Sequence, residues 1–96
     1  ERDNLIGPDA KVKMLTRVDL AGKAPVALDA AEVPVVKKTV LRDMLPDLRA
    51  PKGYVLDKIE GFTIDAAGDA FAVTDNDGID GSSGETQFFA LGKILR

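Results

Sequence analysis

Alternation of apolar and polar residues marks short strands along the chain. Residues 11–20 alternate at their ends and are followed by the turn signals Gly22 and Pro25, which predicts a strand. Residues 35–40 predict a second short strand. Residues 23–34 are rich in alanine, contain two prolines and show no clear period, so they predict an irregular crossing between the strands or a poorly paired edge.

A helical stripe follows the second strand. Its four apolar residues are spaced i, i+3, i+4 and i+7, which is the spacing of one face of a helix that packs on a core. They are Leu41, Met44, Leu45 and Leu48. Because Pro46 interrupts this stripe, we expect a helix of one or two turns that ends before the proline.

The last third of the chain predicts a β-meander. Residues 61–65 alternate as a strand, residues 66–69 form a short glycine-containing hairpin loop, and residues 70–74 are the β-branched and aromatic partner strand. A polar, glycine-rich loop at residues 75–85 leads to a third strand at residues 86–92. The predicted fold class is therefore all-β, mainly antiparallel meanders with at most one short helix. A meander is the blade unit of a β-propeller, although it is common elsewhere. A closed propeller of four-stranded blades needs more than 96 residues, so we expect a partial β-propeller.

Composition excludes several classes of function. The 45% hydrophobic content argues against disorder, and the mild net charge of −3 with interspersed charges argues against nucleic-acid binding. No apolar run is long enough to span a membrane. The chain has no histidine and no cysteine, so it cannot build Ser-His-Asp, Cys-His or ordinary zinc sites by itself. The remaining oxygen ligands suit Ca²⁺ or another hard divalent cation, and nothing indicates an organic cofactor.

Three stretches, in this order and spacing, resemble the phytase-like esterase family, an extracellular bacterial group with a propeller-like fold. The first is Glu1-Arg2-Asp3-Asn4, followed by Lys13 and Val18-Asp19-Leu20; the second is Lys58-Ile59-Glu60-Gly61-Phe62; the third is Thr74-Asp75-Asn76-Asp77-Gly78, which runs on to residues 82–88. The resemblance covers nearly the whole chain except residues 23–34.

The resemblance implies that the chain is the C-terminal fragment of a larger domain. Residues 1–50 would be the penultimate blade and its connection, and residues 51–96 the last meander. The parent protein would be secreted or periplasmic and would act on a small-molecule ester or phosphate. The partner of this chain would be the rest of its own propeller, or further copies of itself if it is isolated. The 96 residues alone are predicted to lack catalysis.

Glu60 is the first candidate site residue. Gluconolactonase-type propellers place a metal-binding glutamate in a similar Glu-Gly pair, so by analogy of position we expect a metal-ligating or catalytic role for Glu60. Independently, a carboxylate that points into a closed channel is costly unless a cation or an arginine neutralises it. The alternatives are an exposed strand glutamate or one that forms a salt bridge with Arg2.

Oxygen-bearing side chains cluster in the loop after the second meander strand. Asp75, Asn76 and Asp77 suit a calcium or magnesium ion, although they do not fit the EF-hand pattern. The alternative is an Asx-turn, in which these side chains bond their own backbone. Ser83 lies farther along the same loop as a candidate substrate-binding residue, but no base is evident that would make it a nucleophile.

Arg2 is the candidate for anion binding and for stabilising charge that develops during catalysis. A guanidinium can hold a phosphate or carboxylate bidentately, and the flanking acids Glu1 and Asp3 could set its rotamer. The alternative is a structural ion pair. Two functions therefore stay open: a metal-assisted hydrolase of phosphate or other esters, and a non-catalytic propeller with a structural calcium site.

Overall fold

The computed structural model describes residues 1–76 and 85–95, which form five strands and one short helix. In chain order the elements are β1 (Met14–Val18), β2 (Lys38–Asp43), α1 (Leu45–Arg49), β3 (Ile59–Ile64), β4 (Ala70–Thr74) and β5 (Phe88–Gly92). β1 and β2 form an antiparallel ribbon, and β3, β4 and β5 form an antiparallel meander. The all-β prediction with one short helix is confirmed. Within the described residues the two sheets do not close into a ring, as expected of part of a propeller.

The β1–β2 ribbon contains a β-bulge on its second strand. Leu15 pairs with Arg42 but Thr16 pairs with Val40, so Leu41 is the extra residue on β2. β2 lies about three residues farther along the chain than the strand predicted at residues 35–40. The irregular crossing predicted between the strands is confirmed, since residues 19–37 contain no strand or helix.

The helix does not end before Pro46, and that prediction is wrong. Pro46 lies in the first turn of α1, where the missing N–H costs nothing because first-turn N–H groups have no partner within the helix. Leu41 belongs to β2 instead of the helical stripe. Met44, at the N-cap, and Leu48 are fully buried, so the stripe faces the core as expected.

The core lies between α1 and one face of the meander. Its buried apolar side chains come from the N-terminal loop, the helix, the segment before β3, the meander and the chain after β5. They are Ala10, Met44, Leu48, Val55, Ala70, Ala72, Leu91 and Ile94. Arg42 holds β2 to the helix because its Nε and Nη2 donate to the two carboxylate oxygens of Asp47 at 2.9 and 2.6 Å.

The β3–β4 hairpin is fixed by its own turn residues. The Oδ1 atom of Asp65 accepts hydrogen bonds from the backbone N–H groups of Ala67 and Asp69, both at 2.9 Å. Gly68 has a φ of 87°, which favours glycine. The predicted loop at residues 66–69 is confirmed, and its hydrogen bonds fix the register of β4 against β3.

The other face of the meander is apolar and open. Phe71 and Phe88 stack there with ring centroids 5.6 Å apart, and Phe88 is 69% exposed. In the part of the chain that the structure describes, no helix is long and apolar enough to cross a bilayer.

Candidate functional site

Arg2 and Glu60, the two candidate catalytic residues, are in direct contact. The Nη2 atom of Arg2 donates to Glu60 Oε1 at 2.8 Å, and its Nη1 donates to Asn4 Oδ1 at 2.5 Å. The two charged side chains are 31% and 37% exposed. Residues 58 positions apart in sequence, from the first and second stretches of the family resemblance, therefore meet at one place.

The acids that flank Arg2 have other partners, which corrects the expectation that they set its rotamer. Glu1 accepts a hydrogen bond from Lys38 Nζ at 2.6 Å, and Asp3 accepts one from Lys13 Nζ at 2.7 Å. Arg2 thus takes its orientation from Asn4 and Glu60.

A buried lysine fixes the turn that presents Arg2. Lys13 is completely buried, and its Nζ donates to Asp3 Oδ1 at 2.7 Å and to the carbonyls of Asp3 and Leu5 at 2.7 and 2.8 Å. The Asp3 carboxylate also accepts the backbone N–H groups of Leu5, Lys11 and Val12. The hydrogen bond from Lys13 lowers the pKa of Asp3 well below its usual range, and the backbone N–H of Lys11 adds to this. These hydrogen bonds tie the Asp3 carboxylate and the Lys13 ammonium to the backbone of the turn that carries Arg2.

Glu60 is presented by a β-bulge. Ile59 pairs with Thr74 and Gly61 pairs with Val73, which leaves Glu60 as the extra residue of β3. The bulge interrupts the alternation of side-chain directions along β3, so Glu60 is not aligned with the later side chains of the strand. Bulges re-aim a side chain, and here the bulge lies at the residue that contacts Arg2.

The ion pair lies in a cleft between the N-terminal segment and the two sheets. The cleft has a volume of about 360 Å³, within the usual range for small-molecule sites. Its walls combine charged groups with an apolar lining. They are formed by Glu1, Arg2, Lys13, Met14, Leu15, Ile59, Glu60, Gly61 and Phe62.

A larger cleft of about 610 Å³ lies on the β1–β2 ribbon. It is lined by Arg17, Asp19, Lys37, Thr39, Val40, Leu41 and Ile94. Asp19 is the only one of these that belongs to the motif stretches, and none is a candidate site residue. We therefore take the smaller cleft, where two of the three stretches meet, as the candidate site.

The remaining predicted site residues are placed only in part. Asp75 is exposed just after β4, and Asn76 is half-buried and has a partner. Asp77 and Ser83 lie outside the described residues. Among residues 1–76 and 85–95, no group of three or more acidic side chains is arranged to hold a metal ion. Of the predicted cation ligands, Glu60 and Asp75 have exposed carboxylates.

Sequence reasoning missed the buried polar residues near the site. Lys13 was part of a motif stretch, but nothing in its neighbours indicated complete burial, which is rare for lysine. Asp57 and Thr74 are 3% and 2% exposed. The position of Asp57, directly before the second motif stretch, is the one signal that could have pointed to it.

Comparisons with known proteins agree with the resemblance. Residues 1–78 match the family model described as phytase-like, esterase-like activity of phytase. No curated protein and no solved structure matches the chain. The match includes the first two stretches and residues 74–78 of the third; residues 82–88 lie beyond it, and the assignment of the chain to the C-terminal part of the family's domain stays a prediction. Since the match covers most of its length, the chain belongs to the phytase-like family.

Proposed function

We propose that this chain is part of a hydrolase that acts on phosphate or other esters, with its substrate in the Arg2–Glu60 cleft. The observation that carries the proposal is the 2.8 Å contact between Arg2 and Glu60. It joins two of the three stretches that carry the family resemblance, and it places a cation and a carboxylate in a cleft of suitable size. The family description, esterase-like activity of phytase, supports the reaction class.

Arg2 binds the anionic part of the substrate in this proposal. Its contacts with Asn4 and Glu60 use two N–H groups, and a guanidinium has more donors than these. The remaining donors can take a phosphate or carboxylate oxygen, and the positive charge stabilises negative charge that develops on the ester. The turn held by Lys13 keeps Arg2 in place, so the Arg2 side chain loses little conformational freedom when the substrate binds.

Glu60 has two roles open to it. Its Oε1 accepts from Arg2, and that contact does not use Oε2. Oε2 can accept a proton from the attacking water, or it can ligate Ca²⁺ or another hard divalent cation together with Asp75, Asn76 and Asp77. Such a cation supplies polarisation of the ester and activation of water. Ser83 contributes to substrate binding in this proposal.

The test is hydrolysis of generic phosphate and carboxylic esters by the full-length protein, with and without chelator. We expect Glu60→Gln to lower kcat/KM by about 100-fold or more, as loss of a general base does. Arg2→Met should lower it by a comparable factor because an oxyanion-stabilising donor is lost.

The matched control is Lys93→Met. It removes an exposed ion pair, Lys93 with Asp69 at 3.2 Å, that lies at the hairpin and does not line the cleft. We expect unchanged activity for this variant. Activity that is equal in all three variants and the wild type contradicts the proposal, and activity that chelator does not alter removes its metal-assisted form.

A non-catalytic binding module is the second candidate. Arg2 and Glu60 neutralise each other, as the two members of a structural ion pair do, which favours a scaffold with a structural calcium site or none. Calcium-dependent melting without turnover of any ester supports this alternative. For either function we expect a secreted or periplasmic protein.

A further inference from the structure

Asp57 is a buried carboxylate with one unpaired oxygen. The side chain is 3% exposed, and its Oδ1 accepts the backbone N–H of Lys58 at 2.7 Å. Its Oδ2 is buried and has no hydrogen-bond partner within the described residues. Burying an ionised carboxylate is costly unless a cation or several donors compensate it, so an unpaired oxygen at this depth needs a physical explanation.

A second unpaired oxygen belongs to Gln87, which directly precedes β5. The Oε1 atom of Gln87 is buried and lacks a partner among the described residues. The backbone of Gln87 is bonded to Thr74: Thr74 N–H donates to the Gln87 carbonyl at 3.0 Å, and Gln87 N–H donates to Thr74 Oγ1 at 2.9 Å. Thr74 itself is 2% exposed.

The strand register brings these residues to one end of the meander. Thr74 is the last residue of β4 and pairs with Ile59, the first residue of β3, and Asp57 lies two residues before Ile59. Gln87 directly precedes β5 and is bonded to Thr74. A carboxylate, an amide and a hydroxyl, all oxygen-bearing, therefore lie at the end of the sheet where β3 begins and β4 ends.

We propose that this end of the meander binds a hard divalent cation, of the calcium class, through Asp57 Oδ2 and Gln87 Oε1, with Thr74 Oγ1 beside them. Carboxylate, amide and hydroxyl oxygens are the ligands that such ions take, usually with waters that complete the shell. A water molecule alone could bond both oxygens but would bring no positive charge to the buried carboxylate. Glu60, three residues farther on, differs because Arg2 already neutralises it.

This site is separate from the hydrolase proposal and holds whether or not the protein hydrolyses esters. Its ligands are buried at the sheet end, whereas the Arg2–Glu60 pair is about one third exposed in its cleft. Bound there, the ion would stabilise the register of all three meander strands.

The experiment is thermal unfolding of the 96-residue chain with calcium and with EDTA, together with terbium luminescence as a direct binding readout. For the wild type we expect Tm to rise by roughly 10 °C at a free calcium concentration about 100 times the dissociation constant. Asp57→Asn should abolish this rise and the terbium signal. In EDTA, Asp57→Asn should be at least as stable as the wild type, because it removes an uncompensated buried charge.

Matched variants separate this site from the others. Gln87→Met removes the side-chain amide, and Oε1 with it, and should raise the calcium concentration that is needed by about tenfold or more, whereas Lys93→Met, which lies at the hairpin and at neither site, should leave the calcium effect intact. Two results overturn the inference: no calcium-dependent rise in the wild type, or a rise that survives Asp57→Asn and Gln87→Met. Ester hydrolysis enters none of these readouts, so failure here is distinct from failure of the proposed function.

Discussion

Gly61, the second residue of the Glu-Gly pair, stands where the structure leaves no room for a side chain. A Cβ atom at this position would lie 2.6 Å from Val73 Cγ1, about 1 Å inside the ordinary separation of two carbons. Gly61 is not among the glycines with positive φ, so alanine can adopt its backbone conformation. The clash with Val73 is therefore the physical reason for glycine beside Glu60, and it predicts the cost of Gly61→Ala.

The magnitude follows from two opposing effects. Overpacking of this kind costs about 1–3 kcal/mol, because Val73 or the bulge must shift. Replacing glycine by alanine restricts the unfolded chain and returns about 0.4–1 kcal/mol. We expect Gly61→Ala to destabilise the protein by about 1–2 kcal/mol, which corresponds to a fall in Tm of about 5–15 °C for a domain of this size.

Urea unfolding followed by circular dichroism measures this cost, and a double-mutant cycle identifies its cause. In a Val73→Ala background the Cγ1 atom is gone, so Gly61→Ala should cost at least about 1 kcal/mol less than it does in the wild type. The control is Gly68→Ala: its φ of 87° strains alanine through the backbone and its nearest neighbour is 3.9 Å away, so Val73→Ala should not relieve it. An equal cost of Gly61→Ala in both backgrounds, or no cost, refutes the reasoning.

Four further predictions concern the turn, the core and the ion pair. Lys13→Met should destabilise the protein by about 3 kcal/mol in urea unfolding, because a fully buried ammonium and its three hydrogen bonds are lost; Leu48→Ala, which opens a core cavity, should cost about 2–5 kcal/mol in the same assay. The pKa of Asp3 is lowered on folding, so its contribution to stability is complete above its unfolded pKa of about 3.9 and is lost as the pH falls below that value. Asp3→Asn should therefore flatten the dependence of unfolding free energy on pH below about pH 4, and an unchanged slope would contradict this. Arg2→Met and Glu60→Gln should each change stability by less than about 1 kcal/mol, since their pair is partly exposed; a larger loss would assign the pair to folding.

The meander could be predicted from the sequence because its signals are local. Alternation in residues 61–65 and 70–74, with Asp65 and Gly68 between them, sets both the strands and their turn. The bounds of the helix could not be predicted correctly, because a proline can lie in the first turn of a helix and can also follow directly after the end of one. Burial of Met44 and Leu48 decides between the two, and burial is a tertiary property.

The candidate site was predicted in its members but not in its geometry. Arg2 was a candidate because of its guanidinium chemistry and Glu60 because of its Glu-Gly pair, and a salt bridge between them was one of the stated alternatives. The bulge at Glu60 and the complete burial of Lys13 depend on contacts between distant segments, which single-sequence patterns do not carry. Asp57 was missed for the same reason, since its significance lies in an unpaired oxygen and not in its neighbours.

Chemical-shift mapping of the backbone and arginine side-chain N–H groups during titration with phenyl phosphate tests the central claim most directly. The account predicts that the largest shifts fall on Arg2 Nε–H and on residues 59–62, and that Arg2→Met abolishes them. Shifts confined to the larger cleft, of about 610 Å³, on the β1–β2 ribbon would contradict it, and so would shifts that Arg2→Met leaves unchanged.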